Sequence, residues 1–90
     1  MYYTYVLFSE KNPDVFYVGY TKDLKKRIDE HNNGCCRHSN MYKPWQLYCY
    51  FAFPVEKLAI DFEKYLKSGS GRTFAKRHFA IEYSLSLAET

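Results

Sequence analysis

The chain has little of what usually marks a special class of protein. It holds three cysteines in 90 residues, two of them adjacent at Cys35 and Cys36. An odd, bunched set of that kind makes no disulfide framework, so a reducing compartment is expected. There is no apolar run long enough to cross a bilayer, no basic-then-apolar leader and no lipidation signal. These absences point away from a membrane partner and towards a cytoplasmic location. Four glycines and three prolines are too few for a collagenous or low-complexity chain, and no internal repeat is visible. A formal net charge of +3 is too small to demand a nucleic-acid partner by itself, so only clustering of the cations could argue for one.

Aromatic residues are abundant. Ten Tyr and seven Phe supply much of the buriable area and argue against disorder. The length suits one domain, expected over residues 1–83, with 84–90 as a frayed tail. The cations do cluster: Lys22, Lys25, Lys26 and Arg27 fall in one short stretch, and Lys64, Lys67, Arg72, Lys76 and Arg77 in another. A solvated helix face is the ordinary explanation of such a run.

Tyr2 to Phe8 reads as a strand, Glu10 to Asp14 as a turn, and Val15 to Tyr20 as the returning strand of an antiparallel hairpin. In that hairpin Tyr5 and Tyr17 would share a sheet face, provided the register does not slip by one residue. Thr21 is the expected N-cap of a helix from Lys22 to about Asn32, with Leu24 and Ile28 as its apolar pair and Asn32-Asn33-Gly34 as its stop. Arg27 and His31 lie four apart and so share one face. Cys35 to Lys43 reads as a loop, and Pro44 introduces a third strand over Trp45 to Phe53. Pro54 then opens a helix whose Val55, Leu58, Ala59, Phe62 and Leu66 should face the sheet, with Glu63 at the edge of the buried face. Ser68 to Gly71 breaks that helix, and a shorter basic helix over Arg72 to Ile81 packs back through Phe74, Phe79 and Ile81.

With Tyr3-Thr4-Tyr5, Tyr17-Val18-Gly19, the stretch from Gly19 to Arg27, and Glu63 to Arg72 in this order, most of the chain resembles the GIY-YIG nuclease superfamily. The likeness is to its small bacterial members and to the nuclease domain of the excision-repair incision subunit. It implies an α+β fold, a small three-stranded antiparallel sheet flanked by helices, and hydrolysis of a DNA phosphodiester aided by one divalent cation, Mg²⁺ or Mn²⁺. The first motif keeps only its final tyrosine. Tyr20 stands where the repair enzyme often has lysine, with Lys22 as the candidate to take that place. The polar Asn or Gln that many relatives carry after the metal-binding helix has no clear counterpart.

Phosphodiester hydrolysis needs a deprotonated water, stabilisation of charge on the non-bridging oxygens and help for the departing 3′ oxygen. Tyr5 or Tyr17 could relay the proton, although a phenol with an ordinary pKa of about 10 is a poor base unless cations lower it. Arg27 presents a planar, permanently charged fork to phosphate. His31 is a donor to phosphate or a proton carrier. Glu63 is the candidate metal ligand. Lys22, Lys26, Lys67 and Arg72 are the candidate nucleic-acid contacts. Each has a plain structural reading beside the functional one: strand aromatics for the tyrosines, solvated helix residues for the rest. The interval from His31 through Cys35 and Cys36 to His38 also invites a zinc reading, but adjacent cysteines fit paired-ligand spacings badly.

Two functions compete. One is a metal-dependent endonuclease acting on branched, flapped or damaged DNA by shape, because so small a domain has little area for reading bases. The other is a nucleic-acid-binding module of weak, salt-sensitive affinity that cuts only when a targeting protein delivers the substrate.

Overall fold

The computed structural model describes residues 1–35, 37–81 and 85–86. Strand β1 (Tyr2–Ser9) lies at the centre, antiparallel to β2 (Val15–Thr21) on one side and to β3 (Trp45–Phe53) on the other. This is the antiparallel sheet of an α+β fold. A two-residue segment, β4 (Leu85–Ser86), pairs parallel to β2 at Val15 and Phe16, within the stretch expected as a frayed tail. The rest of that tail lies outside the described residues. Helices α1 (Leu24–Asn32), α2 (Arg37–Asn40), α3 (Glu56–Lys67) and α4 (Gly69–Phe79) cover the sheet. None of the described helices is long and apolar enough to cross a membrane.

Alternation along the strands divides the core in two. One face gathers Val6, Phe16 and Val18 under Leu66 of α3 and Ala75 of α4, with Ile81 closing the end. The opposite face gathers Tyr5, Leu7, Val15 and Trp45, with Tyr17, Leu24 and Ile28 packed against them. Tyr5 pairs with Gly19 and Leu7 with Tyr17, so Tyr5 and Tyr17 are diagonal neighbours on that second face, as the hairpin reading requires.

Several boundaries differ from the sequence expectation. Asp23, not Thr21, caps α1: its carboxylate accepts from the Lys26 amide at 3.1 Å, and Thr21 instead accepts from the Asp23 amide at 3.1 Å, so the turn closes before the helix starts. Within Cys35 to Lys43, one helical turn forms at α2, too short for any periodicity to show. Val55 and Leu58 do not face the sheet and are 51% and 48% exposed. Val55 precedes the helix in extended conformation, and Leu58 is turned away from the stripe of Ala59, Phe62 and Leu66. The small Ala59 lets α3 sit close enough for the Thr4 hydroxyl to donate to its carbonyl at 2.7 Å.

The helix break expected over Ser68 to Gly71 is confined to Ser68. Ser68 accepts from the Gly71 amide at 3.1 Å and starts α4 at Gly69, so helix follows helix across a single residue. Gly71 is required there, because a Cβ would fall 1.7 Å from the Tyr65 carbonyl oxygen.

Candidate active site

The face of the sheet under α1 carries a chain of polar contacts that the strands and two helices build together. Tyr5 projects from the central strand and is only 1% exposed. Its ring lies over Gly19, where a Cβ would come within 2.5 Å of the phenol oxygen. The glycine of the second motif is thus a space left for the tyrosine of the first. Arg27 and His31, one helical turn apart on α1, both reach the same phenol: Arg27 Nε donates to Tyr5 Oη at 3.3 Å, and Tyr5 Oη lies 3.0 Å from His31 Nε2. Tyr17 closes the far side, with its ring centroid 4.6 Å from that of His31 and 6.3 Å from that of Tyr5. The four residues expected to act on the proton and the phosphate therefore meet at one place.

The surroundings fix their states. His31 is fully buried. Burial, and then the neighbouring Arg27 charge, lower its pKa from 6.5 to about 4, with Glu30 opposing, so the imidazole is neutral at pH 7. Arg27 is held by Glu30 at 3.0 Å and by Cys35 Sγ at 3.8 Å. On the other side of His31, Nδ1 lies 2.9 Å from Ser39 Oγ of α2, and the Ser39 carbonyl accepts from Trp45 Nε1 at 2.9 Å. Asn32 then grips the Trp45 backbone, donating to its carbonyl at 3.1 Å and accepting from its amide at 2.5 Å.

An open groove of about 400 Å³ runs beside this cluster, lined by Tyr20, Lys22, Lys26 and Arg27, with Asp23 and Glu30 as its acidic members. Lys22 and Lys26, two of the residues expected to contact nucleic acid, both line this groove. Lys67 and Arg72 are not in this groove. Lys67 binds Glu63 at 3.1 Å, and Arg72 lines a separate cavity of about 170 Å³ with Thr73, Lys76 and Ile81.

Glu63 stands apart from the tyrosine cluster, because α3 covers the opposite face of the sheet. Tyr20, next along β2 from Gly19, lines the groove and joins it to α3 at Glu56. The Tyr20 hydroxyl donates to Glu56, and this bond above all, followed by desolvation and the Glu56 charge, pushes its pKa up to about 12. No group of three or more His, Cys, Asp or Glu able to hold a metal occurs among the described residues. Cys36 and the side chain of His38, two members of the zinc reading, lie outside the described residues. For a hard cation the donor chemistry does fit. Glu63 is a carboxylate with 21% of its side chain exposed and its Oε2 engaged by Lys67. Mg²⁺ typically takes one or two carboxylates while keeping waters and substrate phosphate as its other ligands.

Sequence reasoning missed Ser39, Glu56 and the Asn32 grip on Trp45. A lone serine in an aperiodic stretch carries no signal, and the Glu56–Tyr20 bond joins residues 36 positions apart.

Residues 1–79 match the model of the GIY-YIG catalytic domain, and the chain belongs to that family. It is similar to the structure-specific endonuclease subunit SLX1 of Debaryomyces hansenii, with 28% identity over 92 residues that take in 94% of this chain and 25% of the relative. It is also similar to the structure-specific endonuclease subunit SLX1 homolog of Leishmania infantum, at 38% identity over 53 residues, 53% of this chain and 8% of the relative. The chain thus spans about a quarter of the length of the first and less than a tenth of the second. Among solved structures it resembles the UPF0213 protein BH0048 of Bacillus halodurans, determined by solution NMR. The TM-score is 0.51 at 27% identity, covering 93% of this chain and 89% of the other.

Proposed function

We propose that this chain is a metal-dependent endonuclease that hydrolyses DNA phosphodiesters and selects its substrate by shape rather than by base sequence. The observation that carries the proposal is the Arg27–Tyr5–His31 contact chain beside a groove lined with Lys22 and Lys26. Membership of the GIY-YIG family and similarity to proteins named as structure-specific endonuclease subunits support it.

The residues divide the work as follows. Lys22 and Lys26 hold the backbone of the nucleic acid, and Arg27 neutralises the non-bridging oxygens of the phosphate under attack. Arg27 Nε, donating to the Tyr5 oxygen, also stabilises negative charge on that oxygen. Tyr5 takes a proton from the attacking water as its own proton passes to the lone pair on His31 Nε2. An imidazole with a pKa of about 4 then returns that proton to the Tyr5 oxygen, which releases the proton taken from water to solvent, so both side chains end the step as they began it. The new O–P bond forms as the bond to the 3′ oxygen breaks, and that oxygen leaves with a proton from solvent. Glu63 would hold Mg²⁺ or Mn²⁺, which when bound supplies positive charge to the phosphate and the leaving oxygen. Tyr17, packed against both His31 and Tyr5, keeps the pair aligned and is the alternative proton carrier.

The test is to incubate the protein and its Glu63→Ala variant with labelled flap, fork and single-stranded DNA in Mg²⁺, Mn²⁺ or EDTA. Metal-dependent cutting of flap or fork, lost in the folded variant, is the expected result. Unchanged cutting by Glu63→Ala would remove the metal assignment. Binding without cutting by the intact protein would favour a module that needs a partner to deliver its substrate.

A further inference from the structure

The contacts of His31 point to a positioning residue outside the family motifs. We propose that Ser39 sets the tautomer of His31: its hydroxyl oxygen accepts from Nδ1–H, so Nε2 is left as the acceptor for the Tyr5 hydroxyl proton.

Three observations carry this. Both ring nitrogens of His31 are engaged, Nε2 with Tyr5 at 3.0 Å and Nδ1 with Ser39 at 2.9 Å, and the ring is fully buried, so no bulk water competes for either nitrogen. The Tyr5 oxygen already receives Arg27 Nε–H, so at the 3.0 Å contact with His31 the arrangement that adds no second donor to that oxygen is the phenol donating to Nε2. An Nε2–H tautomer would aim a second proton at that oxygen and leave no lone pair to receive the proton moving along the chain. Finally, Ser39 is itself held. It is fully buried, and its carbonyl is fixed by Trp45 Nε1 at 2.9 Å, so the single turn of α2 is pinned to the start of β3. Among the described residues, Arg27 and Glu30 on α1, Tyr5 on β1, Tyr17 on β2 and Ser39 on α2 act on the ring, and of these Ser39 is the one hydrogen-bonded to Nδ1.

The kinetic consequence rests on the nuclease reading, whereas the tautomer does not, and the two are measured separately. Long-range ¹H–¹⁵N correlation spectra of the uniformly labelled protein at pH 7 should show His31 as the Nδ1–H tautomer. Ser39→Thr, which keeps the hydroxyl, should retain it, and Ser39→Ala should give a mixture of tautomers. On a flap substrate Ser39→Ala should lose about 10-fold in cleavage rate, the smaller end of what removing such outer partners costs, and Ser39→Thr should recover most of it. An Nε2–H tautomer in the unaltered protein overturns the proposal. So do unchanged His31 ¹⁵N shifts in folded Ser39→Ala. If Ser39→Ala does not fold, Ser39→Thr and the unaltered protein still decide the matter by the tautomer they show. Absence of cleavage by every variant bears on the nuclease reading and leaves the spectra to judge the tautomer.

Discussion

On the α3–α4 side of the sheet, Val6, Val18, Leu66 and Ala75 are buried among Phe51, Phe62, Phe74 and Phe79, and the ring pairs Phe51–Phe62 and Phe51–Phe79 sit 4.8 and 5.2 Å apart. On the α1 side, Tyr5, His31, Ser39 and Trp45 are buried just as deeply, yet each carries a polar atom with a named partner. The first face is held by area and shape, which tolerate swaps of similar volume. The second is held by a connected set of hydrogen bonds, where loss of one partner strands the next in a dry interior. One sheet therefore has an apolar packing face and a polar, hydrogen-bonded face, and the candidate proton-handling residues Tyr5, Tyr17 and His31 lie on the second.

Arg27→Ala should have the largest effect on that contrast. It should lower cleavage of a flap substrate by about 10³-fold or more with little change in melting temperature, because the ion pair it breaks with Glu30 is about a third exposed on each side and the buried Tyr5 hydroxyl keeps His31 as a partner. Persistent cleavage in this variant would dissolve the distinction between the faces. Leu66→Ala on the apolar face should do the reverse. It should cost about 2–5 kcal/mol in urea unfolding, and the cleavage rate per folded molecule should stay within about twofold. Acidification sharpens the comparison further. Native His31 resists protonation down to about pH 4, while the unfolded chain takes up the proton near 6.5, so each step down through that window favours unfolding. The urea midpoint should fall from pH 6.5 towards 4, and the part of the slope due to this residue should vanish in a folded His31→Gln variant. Smallest of all, Lys57→Ala removes an exposed pair with Asp61 on the outer side of α3 and should change stability by less than about 0.5 kcal/mol.

Much of this arrangement was legible beforehand because it is carried by short-range periodicity. The three strands, the hairpin that puts Tyr5 beside Tyr17, and the turn of helix that puts Arg27 beside His31 follow from alternation and from a spacing of four. What was hidden depends on groups that meet only in the finished fold. Periodicity suggests that Leu58 faces the sheet, but α3 meets the sheet through Ala59, whose carbonyl accepts from Thr4 across 55 positions, and Leu58 stays exposed. Ser68 to Gly71 reads as a break, and the helix does break at Ser68, but α4 resumes at Gly69 rather than Arg72, and Gly71 is there for the close approach of Tyr65. Glu63 was read as the edge of a buried face, and it does lie at such an edge, although the side of the sheet it serves could not be told from one helix alone.

The order of these pieces along the chain has a consequence in time. Every residue of the Tyr5–His31–Ser39–Trp45 chain lies within the first half of the sequence, ahead of both helices that cover the opposite face. As the chain is synthesised, the polar face can close on itself while Val6, Val18, Phe51 and Phe53 still wait for residues 56–79 to shelter them. For that interval the nascent protein carries an assembled relay on one side and a bare aromatic sheet on the other. The risk of self-association during its birth is therefore concentrated on the face opposite the tyrosine cluster.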